Sequence, residues 1–466
     1  MNRLPNEILL LIAEHTVKGT CWRERCRTLH ALILCCQRFY KLFQSLLYYD
    51  LNLWNFSTSE VRLVIHLWKH PELASRVRKL ELCWPSDDEN CLEVDDYEDD
   101  EQSRVKFIEQ ALQEIFTPEE KETESKWKDW LHDFREWAWI GVLLVRLTHL
   151  ENIQFNQGQH SKIIVDVPLK AAKRHKPFHD SPPFPFLRNV CILSNSGVDK
   201  KIITPFFYFP NVRSIRGGSI WANTESANIL DPCDMIPSSY SVREIAVYGV
   251  YHCRGMLDWL AACKKLEHIS IEAASHPNDD EIIYPLDSLA FHHAILPFRK
   301  TRRTLEVTFS ILYNNSLVEN NGWGLKEDNI PFPSLQDFSV LENLIIRHAH
   351  LMIFPDIMTL QPSNIQLIDK LPTSLKRLSI RDIVDGFYFD LESELLSMVR
   401  NRHALPHLVA LELGESKILD ECSIFEEPCD KLVVECRAAG ICLSLVPYED
   451  TWPLAEPLLL FYESLA

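Results

Sequence analysis

Glycine is scarce, 13 of 466 residues. Loops that cradle phosphate are built on glycine, and the chain contains neither a P-loop nor a dinucleotide fingerprint. G-x-S-x-G and H-E-x-x-H are also missing, so the common signatures of serine hydrolases and zinc peptidases are absent. The 14 cysteines include no C-x-x-C pair. Apolar runs are short: the longest, Trp137 to Val145, is far below a membrane span. Basic residues are outnumbered 48 to 66, for a net charge of −18. A chain this acidic is repelled by phosphate backbones, which argues against nucleic-acid binding. Asn6 and Glu7 interrupt the start, and no basic stretch precedes a small-residue cleavage site, so no signal peptide is expected. The cysteines are then expected to be reduced and mostly buried. The expectation is a non-enzyme of the cytoplasm or nucleus, without cofactor, metal, membrane or nucleic acid.

What the chain has is apolar content, 46%, enough for a folded protein. Its length is too great for one ordinary core and implies several domains or an elongated array. A short pattern recurs. It begins with Val77-Arg78-Lys79-Leu80-Glu81-Leu82 and returns at Leu147/Leu150/Ile153, Leu187/Val190/Ile192, Val212/Ile215 and Val242/Ile245/Val247. It returns again at Leu266/Ile269/Ile271, Leu341/Leu344/Ile346, Leu375/Leu378/Ile380 and Leu408/Leu411/Leu413. Leu305-x-Val307-x-Phe309 fits only in part. Proline precedes several copies, as in Phe209-Pro210, Phe332-Pro333, Leu371-Pro372 and Leu405-Pro406. Leu-x-x-Leu-x-Leu turns alternate side chains of a short strand into a core, and the following segment covers the outside. The pattern resembles a degenerate leucine-rich repeat, with the usual Asn after the strand mostly missing. Each unit buries its apolar face only against its neighbours. Cys436 to Leu445 reads as a last helix end, a Gly440 turn and a strand, and resembles the final repeat of many fungal F-box proteins.

Two insertions interrupt the array. Asp87 to Glu101 is dominated by Asp and Glu and reads as a solvated loop. Between Lys126 and Val145, Trp127, Trp130, Phe134, Trp137 and Gly141 fall at helical spacing and predict one aromatic stripe belonging to the core. His348 and His350 alternate and are expected to share one face of a strand. Cys21 and Cys26 lie near His15 and His30, but the spacing fits no zinc module and a helical core explains it. Cys422, Cys429, Cys436 and Cys442 read as buried thiols on packed helices. The cluster Lys170, Lys173, Arg174 and Lys176 reads as a solvated loop, with a nuclear import signal as the alternative.

The first fifty residues stand apart. Leu4-Pro5-Asn6-Glu7-Ile8 opens a helix, with Pro5 in the first turn and Glu7 complementing the dipole. Ile8 to Ile12 is an unbroken apolar run that covers the whole helix circumference. Leu29 to Cys36 and Leu42 to Tyr48 follow. Three short helices cannot enclose this much apolar surface, so one face is left for a partner. The residues Leu4-Pro5-x-Glu7-Ile8, then Leu29-x-x-Leu32-x-x-Cys35-Cys36-x-Arg38-Phe39, then Leu47-Tyr48, resemble the F-box. That helical module docks on the Skp adaptor of cullin–RING ubiquitin ligases. The resemblance departs at Cys35, where the family usually has an aliphatic residue, and in the charged spacer from Thr16 to Thr28. It implies a Skp-adaptor-binding set of Leu4, Pro5, Ile8, Leu9, Ile12, Leu32, Cys36 and Phe39.

The expected architecture is α/β: a three-helix F-box over 1–51, a helical connector over 52–76, and a curved, irregular leucine-rich-repeat solenoid with parallel strands over 77–447. The acidic insertion occupies 87–101, and 448–466 form a tail or cap. By resemblance the chain is a substrate-recruiting adaptor of a Skp–cullin–F-box ubiquitin ligase, its repeats holding an unknown target protein. The alternatives are a non-catalytic repeat scaffold outside any ligase, and an enzyme whose site the sequence does not reveal.

Overall fold

A computed structural model describes residues 4–17, 22–53, 58–83, 101–157, 166–194, 198–221, 235–250, 253–273, 286–309, 331–352, 366–383, 387–415 and 430–446. The chain divides into two compact units, one of residues 1–196 and 201–212, the other of 197–200 and 213–466. Thirteen strands are found among the described residues, and every pairing within the units is parallel.

In the first unit β1 (Asp50–Leu53), β2 (Lys79–Cys83), β3 (Asn152–Gln157) and β4 (Asn189–Ser194) pair in chain order. Its helices are α1 (Asn6–Val17), α2 (Trp22–Cys35), α3 (Gln37–Tyr49), α4 (Thr58–Lys69), α5 (Pro71–Ala74), α6 (Glu101–Ile115), α7 (Lys121–His132), α8 (Glu136–Arg146) and α9 (Asp166–Ala172). The short helix α10 (Lys200–Ile203) falls where the division is drawn. In the second unit β5 (Val198–Asp199) pairs with β6 (Ser214–Trp221). There follow, again in chain order, β7 (Glu244–Val250), β8 (His268–Ala273), β9 (Thr304–Phe309), β10 (Asn343–Arg347), β11 (Arg377–Ile383), β12 (Ala410–Glu415) and β13 (Cys442–Val446). Its helices are α11 (Leu257–Ala262), α12 (Ser288–Ile295), α13 (His348–Leu351), α14 (Tyr388–Arg400) and α15 (Asp430–Ala438).

The recurring pattern is the register of these ladders. Ile245, Ile269, Leu305, Leu344, Leu378 and Leu411 are paired from strand to strand. All six are fully buried. The position three residues earlier is buried too, as at Val77, Leu187, Val242, Leu266, Leu341 and Leu375. Each such side chain is worth about 1.5–3 kcal/mol of burial, which holds neighbouring repeats together without contacts between distant ones. In β3 the motif runs Leu150-x-x-Ile153-x-Phe155, three residues later than expected.

A ladder of backbone hydrogen bonds joins successive repeats at the strand starts. The Arg213 carbonyl accepts from the amides of Arg243 and Glu244, at 2.8 and 2.9 Å. The Arg243 carbonyl accepts from Glu267 and His268, the Glu267 carbonyl from Arg303 and Thr304, and the Arg303 carbonyl from Glu342 and Asn343. One carbonyl per repeat thus satisfies the two amides that open the next strand.

The structure corrects several expectations. The sheet begins at Asp50, with Leu51 and Leu53 buried beside β2, and the stretch expected as a helical connector over 52–76 carries α4 and α5, as its helical spacing predicts. The aromatic stripe is two helices. Phe134, at φ 51°, ends α7, and the Arg135 amide returns to the Trp130 carbonyl at 2.8 Å. One continuous helix would place Trp127 and Gly141 about 21 Å apart at 1.5 Å per residue. Instead the Trp127 ring lies on Gly141, where a Cβ would collide with it. Trp127, Phe134 and Gly141 are buried, as expected, Trp130 and Trp137 are half-buried, and Trp139, outside the expected stripe, is buried as well. Helix α6 was not foreseen, and it starts at Glu101, the last residue of the expected acidic loop; the rest of that loop lies outside the described residues.

His348 and His350 stand on α13 instead of a strand. Both rings are buried, and burial, with Arg347 beside it, pushes His348 down to about 3. Of the basic cluster, Lys170 and Lys176 are tied down, whereas Lys173 and Arg174 are exposed. Lys170 Nζ reaches Glu120 Oε1 at 2.5 Å, and Lys176 Nζ donates to the carbonyls of Gln113 and Phe116 at 2.6 and 3.0 Å. Cys436 is buried on α15, but Cys442 is exposed on β13, and Cys422 and Cys429 lie outside the described residues. Gly440 closes α15 at φ 70°, with the Ile441 amide on the Cys436 carbonyl, which is the helix end, turn and strand expected there. Among the described residues no helix is long and apolar enough to cross a membrane.

Candidate docking face

Helix α1 sorts its apolar residues by angle. Leu9 is 4% exposed and packs with Ala13 and Phe43; Leu10, Leu32, Ile33, Phe39, Leu42 and Leu46 close around them. Leu4, Pro5, Ile8, Leu11 and Ile12 fall on the opposite arc, about 120° wide at 100° per residue. Ile8 is 42% exposed, Leu11 59% and Ile12 50%. Leu34 on α2 is 72% exposed, and Tyr40 on α3 is exposed as well. Burying such a row of aliphatic groups against a second protein returns apolar area to a dry environment, the usual driving force for a docked helix face.

The start of α1 is held from α3. Arg38 donates through Nη2 to the Leu4 carbonyl at 2.5 Å and to Asn6 Oδ1 at 2.7 Å, and through Nε to Asn6 Oδ1 at 3.1 Å. One guanidinium therefore fixes the direction in which Leu4 and Pro5 leave the helix. Cys36 is the N-cap of α3: it is extended at φ −165°, and its Sγ accepts from the Phe39 amide at 3.5 Å. Arg25 Nη1 meets Asp50 Oδ2 at 3.0 Å, tying α2 to the start of β1. Burial raises the Cys26 thiol above its ordinary value.

Of the eight expected partner-facing residues, Leu4, Pro5, Ile8 and Ile12 face outward. Leu9 does not; its helical angle turns it into the three-helix core, and its expected partner contact is corrected. Leu32 and Phe39 are half-buried against that core, and Cys36 is exposed but caps a helix. Sequence reasoning left out Leu11 and Leu34, which are exposed apolar residues, and gave Arg38 no role. The angle of Leu11, about 160° around the helix from that of Leu9, was a usable signal.

A comparison with protein-family models finds no match to this chain, and a comparison with curated proteins finds none either. Function therefore has to be argued from the faces themselves. Among the described residues no group of three or more His, Cys, Asp or Glu is placed to hold a metal ion. His15 and His30 are exposed, Cys26 is half-buried, and Cys21 lies outside the described residues.

The second solvent-facing surface is the outward side of the strands in the second unit. Polar and charged side chains alternate there with the buried ladder: Glu244, His268 and Thr304 in one row, Arg216, Ser270 and Glu306 in the next. Further along, Arg347 Nε meets Asp382 Oδ2 at 2.8 Å, a buried pair, and Arg377 and Arg381 approach Glu412.

Proposed function

We propose that this chain is a substrate-recruiting adaptor of a Skp–cullin–F-box ubiquitin ligase. Its N-terminal helices dock on the Skp adaptor, and the outward face of its strands holds a target protein. The mechanism is positional: the adaptor raises the effective concentration of a target near a ubiquitin-charged enzyme and performs no bond chemistry. The observation that carries the reading is the exposed row Leu4, Ile8 and Ile12 at a helix start fixed by Arg38. It coincides with the Leu4-Pro5 and Cys36-x-Arg38-Phe39 residues on which the F-box resemblance rests.

The test is isothermal titration of the full chain with a Skp-type adaptor. Changing Leu4 and Pro5 together to Ala removes outward-facing atoms and none of the three-helix core. A truncated interface anchor costs about 2 kcal/mol or more, roughly thirtyfold in affinity. The double variant is expected to bind at least that much more weakly while its melting curve is unchanged. Equal binding by variant and parent discards this face. No binding by the parent discards the ligase reading in favour of a repeat scaffold, as does adaptor binding without cullin in a co-purification.

A further inference from the structure

Three neighbouring turns of the second unit gather cations at the strand starts. They are residues 238–243 ahead of β7, 261–267 ahead of β8 and 298–303 ahead of β9. Hydrogen bonds stack them side by side. The Lys264 amide donates to the Tyr240 carbonyl at 2.9 Å, and the Thr301 hydroxyl to the Leu266 carbonyl at 2.9 Å. The Arg303 amide donates to the Glu267 carbonyl at 2.8 Å. Arg243, Glu267 and Arg303 therefore stand in one column, about 10 Å long at the usual spacing of strands. Arg243, Lys264, Lys265, Arg299, Lys300 and Arg303 are all exposed. The three turns hold one carboxylate, Glu267.

That carboxylate is shared. Its Oε1 meets Arg243 Nη1 at 3.3 Å and Lys265 Nζ at 2.9 Å. Lys265 first, with Arg243 and His268 adding to it, holds the Glu267 carboxyl below its ordinary value. Lys264, Arg299, Lys300 and Arg303 have no ion-pair partner among the described residues. Six cations against one carboxylate leave a local surplus of five positive charges on a chain whose net charge is −18. The next turn, residues 335–342 ahead of β10, ends the patch: it carries Asp337 and Glu342 and no cation.

Such a patch attracts an anion, and its size and surroundings select the kind. The negative charge of the rest of the chain is screened beyond about 8–10 Å. A short run of carboxylates fits within that reach. A nucleic acid extends past the patch and meets repulsion. Glu267 also shows how a carboxylate is received, between an arginine and a lysine.

We propose that these three turns bind a carboxylate-rich segment of the protein held by the repeats. The inference rests on the target-holding half of the proposed function and adds the chemistry of the segment that is recognised. About three or four extended residues cover the column, and their carboxylates meet Lys264, Arg299, Lys300 and Arg303, the cations left without a partner.

Fluorescence anisotropy on the full chain tests this. The probes are labelled peptides of three Glu-Asp repeats and of three Gln-Asn repeats, and an oligothymidylate of about twelve nucleotides. The acidic peptide is expected to bind at least tenfold more tightly than either of the others. Raising the salt from about 50 to about 300 mM should weaken it at least fivefold. Lys264→Glu combined with Lys300→Glu is expected to weaken it at least tenfold. Lys431→Glu combined with Arg437→Glu makes the same change of net charge at exposed positions of α15 and should alter binding less than twofold. Both variants should titrate the Skp-type adaptor as the parent does. Loss of adaptor binding by the parent, with the acidic peptide still bound, would be a failure of the ligase reading alone. Equal binding of the acidic and neutral peptides, tighter binding of the oligonucleotide, equal losses in the two variants, or no peptide binding by the parent would each overturn the proposal. If the Lys264→Glu, Lys300→Glu variant does not fold, Lys264→Gln combined with Lys300→Gln decides.

Discussion

Arg302 occupies the position that is Leu or Val three residues ahead of the paired core residue in neighbouring repeats. Its side chain is fully buried, and none of its three guanidinium nitrogens has a hydrogen-bond partner among the described residues. Burial pushes it down to about 9, and the Phe298 ring, 5.6 Å from the guanidinium carbon, offers a weak cation–π contact. A buried charge without compensation costs several kcal/mol. Arg302→Met keeps much of the length and removes the charge, so urea unfolding should find the variant more stable by about 1–4 kcal/mol. A less stable variant would mean that the guanidinium has a compensating partner.

Glu136 is a second buried charge, in the first turn of α8. Burial, then Glu60, push its carboxyl up to about 8. The folded state binds this proton more tightly than the unfolded chain, so stability falls as pH rises through the window from about 4.5 to 8. His348, depressed to about 3, acts in the opposite sense, but only below its ordinary value of 6.5. Between pH 6.5 and 8 the parent should therefore lose about 1–2 kcal/mol of stability through this group, and Glu136→Gln should flatten that slope. Unfolding curves at the two pH values check this, and an unchanged slope in the variant would exclude Glu136 as its source.

At the scale of elements, the brace from α3 to α1 is the part most open to test. Arg38→Ala removes three hydrogen bonds from the helix start and no residue from the outward arc. Adaptor affinity is expected to fall about tenfold, as for a loss of 1–2 kcal/mol, with Arg38→Lys recovering little because one ammonium cannot span Leu4 and Asn6. Full affinity in Arg38→Ala would show that the row orients itself. Strand positions were legible in the sequence because a Leu or Ile at fixed spacing has one low-energy place in a stacked ladder. The strand at Leu305 read weakly for the same reason, since Arg302 broke the spacing. Helix α6 was hidden by the acidic residues before it, although Ile108, Ala111, Leu112 and Ile115 recur at helical spacing and are buried. The turn at Phe134 follows from a tertiary contact, Trp127 on Gly141, and carried no local signal. On the docking face, sequence placed the apolar run but not its angle, because Ile8 to Ile12 are alike in chemistry and only packing against Phe43 separates them.

At the scale of the molecule, each unit is a stack in which a repeat touches only its neighbours. Damage should therefore stay local. Leu378→Ala in β11 removes a fully buried residue and should cost about 2–5 kcal/mol. Hydrogen exchange is expected to speed up in β10 to β12 while β1 to β4 keep their protection. Uniform loss of protection across both units would show that the chain unfolds as one cooperative block.

The chain-order pairing also bears on how the protein is made. Within each unit a strand pairs with the one synthesised just before it, as β7 with β6 and β8 with β7. At about 5–20 residues per second, a nascent chain can complete one ladder before the next strand leaves the ribosome. Little of it has to wait unfolded for a distant partner. The weakness lies at the growing end: a product cut short after any repeat displays a bare parallel edge, able to accept a strand from another unfinished chain.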